Sequence, residues 1–118
     1  MASFPRTTIA WACLSSLLLG CATPTLYSWG HYEAQIYVSR MTPGATSTET
    51  QVAELEQDYQ KARAENKRMP PGFHAQLGYM YLQLGRLDQA RRELETEKTE
   101  FPESAVLVDR LLASLKRP

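Results

Sequence analysis

The chain has 118 residues, 13 basic and 13 acidic side chains, two histidines and two cysteines. Each shortage excludes a class of function. A formal net charge of zero gives no electrostatic footprint for nucleic acid. His31 and His74 stand 43 positions apart with no ligand-like spacing around either, so no histidine metal motif exists. No glycine-rich phosphate loop and no Ser-His-Asp order is present. Long apolar runs are scarce too. The longest, Ile9 to Leu19, is broken by Ser15 and Ser16 and is too short for a good membrane span. Composition is otherwise that of one ordinary globular domain, 43% hydrophobic and 22% charged.

That apolar run follows a short segment carrying one positive charge, Arg6, which makes residues 1–20 a secretory signal. The run ends Leu18-Leu19-Gly20-Cys21, which resembles the bacterial lipobox. The resemblance implies cleavage before Cys21, a diacylglyceryl thioether on its sulfur and acylation of the new amine. The alternatives are an ordinary secretory signal with a chance cysteine, or a short membrane anchor. Ala22, in place of Asp, implies export to the outer membrane under one bacterial sorting rule. The mature chain would have 98 residues, with 12 basic against 13 acidic side chains. Cys13 leaves with the signal and lipid consumes Cys21. No thiol then remains for a disulfide, a nucleophile or a soft metal site, and the helical core alone must hold the fold.

The stretch Pro70 to Ser104 organises the rest. Its spacing resembles the tetratricopeptide repeat, a two-helix unit of roughly 34 residues. Leu77-Gly78 fits the Leu-Gly pair, Tyr81 follows three residues on, Gly85 falls at the turn, Ala90 and Leu94 occupy the Ala-x3-Phe positions, and Pro102 is the terminal proline. Two departures stand out: His74 replaces the usual Trp, and Glu97 stands where a small residue is common. A first helix is predicted over residues 72–84, with Phe73, Leu77, Tyr81 and Leu84 inward. A second is predicted over 87–100, with Leu87, Ala90, Leu94 and Phe101 inward. Gly78 and Ala90 are small enough for close backbone approach, and Gly85 can take the positive φ that ends a helix.

Residues 21–26 read as a lipidated tether and 27–118 as the helical domain. Trp29, Tyr32, Ile36, Tyr37 and Met41 recur at helical spacing, predicting a helix over 31–40. Such aromatic density beside a lipid anchor fits a membrane-interface or partner-binding belt. Packing of these aromatics onto the repeat is the expectation, since a small domain needs large core side chains. Pro43-Gly44 marks a turn. Thr48 to Gln51 fits a capping box, with Thr48 as N-cap and Gln51 reaching back, for a helix to about Lys67 with a stripe of Val52, Leu55, Tyr59 and Ala62. Glu56 and Asp58 fall on the face opposite that stripe. Glu93, Glu95 and Glu97, with Arg91, Arg92 and Lys98, read as a solvated charged face and not as an acid/base pair. Residues 105–116 form a last helix with Val108, Leu111, Leu112 and Leu115 on one face, in the position of a capping helix.

Tyr27-x-Trp29-Gly30-x-Tyr32-Glu33, then Pro70-Pro71-Gly72-x-x-Ala75-x-Leu77-Gly78, then Glu97-Lys98-x-x-Phe101-Pro102-Glu103-Ser104 resemble a family of small, uncharacterised bacterial lipoproteins. The resemblance spans essentially the whole mature chain. It implies a gene neighbourhood holding a lipoprotein similar to the curli-secretion channel and a second small lipoprotein, and hence a shared cell-envelope complex. It supplies no catalytic residues.

The expectation is therefore an all-α, non-enzymatic lipoprotein, anchored through Cys21 to the outer membrane and facing the periplasm. No cofactor, metal, nucleic acid or small-molecule substrate is expected. Its partner would be another envelope protein. The alternatives are a pilotin-like chaperone, a regulator of a cell-wall synthase and, last, an enzyme. Tetratricopeptide units bind with exposed side chains of their first helix, which singles out His74, Tyr79, Met80 and Gln83, with Gln76 on an adjoining face. His74 also reads as a packing histidine, being at a core-like position.

Overall fold

The computed structural model describes residues 24–116. Cys21, the signal segment and the start of the tether lie outside them. The described chain is all-α. It comprises α1 (Tyr32–Met41), α2 (Thr48–Ala64), α3 (Phe73–Gln83), α4 (Leu87–Glu100) and α5 (Ala105–Ser114), with a 3-10 turn at Pro102–Ser104. Among these residues the only sheet-like pairing is an isolated parallel bridge, Tyr27 with Arg68.

Two helices end in the same way. After α3, Gly85 takes φ +70°, its N–H donates to Leu82 O, and Arg86 N–H reaches Tyr81 O at 2.8 Å. After α2, Asn66 takes φ +54°, its N–H donates to Arg63 O, and Lys67 N–H reaches Ala62 O at 2.8 Å. Both are Schellman closures, which satisfy the last carbonyls of a helix. Asn66 thereby stops α2 at Ala64, three residues before the predicted end.

The core is built around α3. Phe73, Leu77, Met80 and Tyr81 are buried together with Val52, Leu55 and Ala62 of α2, Met69 of the connecting loop, Tyr32 of α1 and Ala90 of α4. Tyr32, Tyr59 and His74 pack on or beside the Phe73 ring at centroid distances of 5.7, 6.3 and 5.3 Å. Helices α3 and α4 make the closest pair in the fold. Gly78 permits this: a Cβ there would lie 3.0 Å from Leu94 Cγ and 3.2 Å from the Ala90 carbonyl oxygen. Helix α5 packs on α4 through the buried Val108, and Lys98 on α4 pairs with Asp109 on α5 at 2.6 Å.

Several expectations need correction. The N-cap of α2 is Ser47, whose Oγ accepts from Thr50 N–H at 3.2 Å, while Gln51 Nε2 donates to the Thr46 carbonyl. Leu87 is half exposed, because α4 has barely begun there and nothing packs over it. The aromatic helix is divided: Tyr32 and Ile36 meet the core, Trp29 stacks on Tyr32 at 6.3 Å while staying partly exposed, and Tyr37 and Met41 face outward. Glu97 and Asp58, both read as surface residues, are buried.

Those two carboxylates do the same work in different places. Glu97 on α4 accepts from the backbone N–H of Gly72 at 2.7 Å and of Ala75 at 3.2 Å, the N-cap and third residue of α3. Gly72 is itself the N-cap residue, at φ +90°, and has no side chain to cap with. Asp58 on α2 accepts from His31 N–H, at the N-cap of α1, at 2.6 Å, and faces the His31 ring at 3.0 Å. Here the positive-φ glycine is Gly30, one residue before the N-cap. First-turn N–H groups have no partner within their own helix, and the helix dipole favours a negative group beside them. The carboxylates supply that from the next helix along. This explains why Glu97 occupies a position where small residues are common.

Candidate docking groove

A concavity that joins several elements lies between the C-terminal halves of α1 and α3. It is a groove of about 450 Å³. Helix α1 contributes Ile36, Val38, Ser39 and Arg40, the α1–α2 turn contributes Thr42, Pro43, Gly44 and Thr46, and α2 contributes Thr48 and Gln51. Helix α3 closes it with Gln76, Tyr79, Met80 and Gln83.

Local chemistry fixes the rim. Thr42 N–H donates to Val38 O at 2.8 Å and ends α1, and Ala45 N–H donates to Thr42 O in the turn that follows. The Gln51 amide then ties that turn to α2 through Thr46 O at 2.9 Å. Gln35 ties α1 to α2. It is 6% exposed, and its Nε2 donates to the Gln51 carbonyl at 3.1 Å and to Glu54 at 2.8 Å. A buried polar amide therefore makes the link between the two helices here. Beside it is a smaller cavity of about 130 Å³, lined by His31, Gln35, Val38, Gln51 and Glu54 among others.

The groove's lining is amide, hydroxyl and apolar. It holds no carboxylate, and Arg40 is its single charged group. Such a surface offers donors and acceptors to a polypeptide backbone, apolar contact to side chains, and one cation for a carboxylate.

Of the four residues singled out in the sequence, three meet here. Tyr79 is about half exposed and Gln83 is exposed. Met80 lines the floor but is 3% exposed, so it belongs to the core and is not a free anchor. His74 is not in the groove at all. It is 1% exposed, its Nδ1 pairs with Glu93 at 2.7 Å, and its ring meets Tyr59 edge-on at 5.1 Å. The reason is that α3 is covered on two sides, by α2 and by α4. Its buried arc includes Phe73, His74, Leu77, Gly78, Met80 and Tyr81, wider than the one-sided stripe that the periodicity predicts. Sequence reasoning missed the other wall. Ser39, Arg40 and Thr42 to Thr48 read only as the end of a helix and a turn, and no local pattern marks them as facing α3.

A second polar feature lies elsewhere on α3. The Tyr81 hydroxyl donates to the Glu56 carboxylate. Burial first, then this hydrogen bond and the Glu56 charge, push the Tyr81 hydroxyl well above its ordinary range. Tyr32 is also raised, by burial and then by the negative charge of Glu97. Among the described residues no group of three or more His, Cys, Asp or Glu side chains could hold a metal ion, and no helix is long and apolar enough to cross a membrane.

Two helical hairpins in sequence, the first held open over a groove and the second closed, define a small all-α domain of one family. The chain belongs to the family described as "Domain of unknown function (DUF4810)", whose model matches residues 26–111. No curated protein and no solved structure matches the chain.

Proposed function

We propose that the protein is a lipid-anchored docking or assembly factor of the bacterial cell envelope, and not an enzyme. In this reading residues 1–20 are a cleaved lipoprotein signal, Cys21 carries the lipid, residues 21–26 are the tether and 27–118 the docking domain, facing the periplasm from the outer membrane. The α3–α4 hairpin is a tetratricopeptide-like unit, and its first helix presents Tyr79 and Gln83 to the partner. The observation that carries the proposal is the groove: a mixed amide and apolar surface, free of carboxylates, with Arg40 as its one charge. It suits an extended segment of another envelope protein carrying an acidic group. A channel-like lipoprotein complex is the partner class that the family resemblance implies.

The experiment is crosslinking and recovery of partners from membranes. Tyr79→Ala combined with Gln83→Ala should reduce recovery, with helical spectrum and membrane level unchanged, because both side chains are exposed. Equal recovery for this variant and the wild type would remove the groove as the docking site. Fatty-acid labelling tests the anchor separately. Cys21→Ala should abolish the label and leave unprocessed precursor, and label persisting on that variant would overturn the lipobox reading.

A further inference from the structure

Helix α1 is apolar on two sides. On a helical wheel Ala34, Tyr37 and Met41 fall together, opposite the buried side of the helix that carries Tyr32 and Gln35. Ala34 is exposed, Tyr37 and Met41 are each 64% exposed, and Leu26 and Trp29, just before the helix, are 69% and 41% exposed. Tyr37 and Met41 are not among the residues packed on the core, whereas Trp29 stacks on the core residue Tyr32 at 6.3 Å and meets Tyr27 edge-on, with the rest of its surface open.

Its place in the chain indicates what covers it. The described residues begin at Pro24, separated from Cys21 only by Ala22 and Thr23. A fully extended chain puts Leu26 no more than about 18 Å from Cys21. From there the backbone is fastened to the domain. Ser28 N–H donates to Arg68 O at 2.8 Å, and the Tyr27 ring packs against Phe101 at 6.3 Å. An anchor at Cys21 therefore holds the start of α1 near the headgroups on a short, tied lead. Trp and Tyr have an apolar body and a polar tip, which suits them to the water–lipid boundary. Glu33 and Arg40 flank the strip on one side with opposite charges, so the surface has no bias toward anionic lipid.

We propose that the outward strip of Leu26, Trp29, Tyr37 and Met41 is a second membrane contact, which seats α1 along the interface of the bilayer that holds the lipid. This rests on the reading of Cys21 as the lipidated residue. It adds that the domain has a fixed orientation on the membrane and does not swing freely from its tether.

The test uses a built-in probe. The chain has two tryptophans, Trp11 and Trp29, and removal of residues 1–20 leaves Trp29 alone. The mature lipid-bearing protein is reconstituted in phosphatidylcholine vesicles, with and without acyl chains brominated near the headgroup. Trp29 emission should shift to shorter wavelength and lose intensity to the brominated lipid. Tyr37→Ser with Met41→Ser should weaken that quenching at an unchanged helical spectrum. Mass spectrometry of the Cys21 peptide separates the two levels of the proposal. Lipid present on Cys21 with Trp29 unquenched overturns the membrane seat alone. Lipid absent from Cys21 overturns the seat together with the anchor. An emission shift that grows with protein concentration and ignores brominated lipid assigns the strip to a second copy of the chain, and also overturns the seat.

Discussion

The two hairpins share a design and differ in how tightly it closes. In each, a positive-φ glycine precedes the first helix, Gly30 or Gly72, and a carboxylate from the second helix, Asp58 or Glu97, accepts from N–H groups at that helix start. In α3–α4 the arrangement is sealed. Glu97 is 1% exposed and bonds two backbone N–H groups, and Gly78 brings α4 against α3. In α1–α2 it is open. Asp58 meets one backbone N–H and the ring of His31, whose side chain is 60% exposed, and Gln35 stands between the helices. Helices α1 and α2 approach each other far less closely than α3 and α4. Helix α3 of the closed hairpin is the centre of a core that both hairpins share, and the open hairpin supplies most of the groove's lining. The same capping chemistry thus occurs both in a tightly crossed pair and in a looser one with a groove beside it.

The comparison can be broken in several ways. The largest effect should come from the closed hairpin. Leu77→Ala should cost about 2–5 kcal/mol in chemical denaturation, since it empties a fully packed site between α2, α3 and α4. A loss below about 1 kcal/mol would mean that α3 is not the centre of the core. Next come the two caps. Glu97→Ala should cost roughly 3 kcal/mol, because it leaves two part-buried N–H groups without their acceptor and empties a buried side-chain site. Asp58→Ala should cost about 1 kcal/mol, since water can reach the N–H of exposed His31. Equal costs would erase the distinction between sealed and open.

The smallest effect concerns alkaline pH. Tyr32 and Tyr81 have hydroxyls raised above the ordinary tyrosine value of 10.0. In the unfolded chain both ionise near that value, while in the fold they stay neutral. Their contribution is therefore fully present below about pH 10 and is lost as pH rises above it. Stability measured across pH 8 to 11 should be flat and then fall, and Tyr81→Phe should blunt the fall. A decline that starts near neutrality would point to other groups.

Much of this architecture is legible in the sequence, for local reasons. The helices α2, α3, α4 and α5 follow from periodic apolar residues, and their ends follow from Gly85 and Pro102. The Leu77-Gly78 pair foretells the tight crossing. What escaped is non-local. Glu97 and Asp58 sit in charge-rich segments that look solvated, and only the fold reveals that each lies beside the start of another helix. His74 is packed, as its core-like position in the repeat suggests, whereas the burial of Met80 is not legible because a one-dimensional stripe cannot show that α3 is covered twice. Ser47 takes the cap expected of Thr48 because boundaries drawn from propensity shift easily by a residue. Half of the groove was visible, in Tyr79 and Gln83. Its other wall depends on where a turn lands after α1.

The caps across helices also bear on the order of assembly. A helix of 10 or 11 residues, such as α1 or α3, is marginal in isolation. The carboxylate that completes the start of α1 lies 27 residues downstream of His31, and the one for α3 lies 25 residues downstream of Gly72. As the chain emerges N-terminus first, neither leading helix can be secured until most of its following helix has appeared. The hairpin, and not the helix, is then the smallest unit that can settle, and a chain interrupted before Glu97 would leave α3 without its cap.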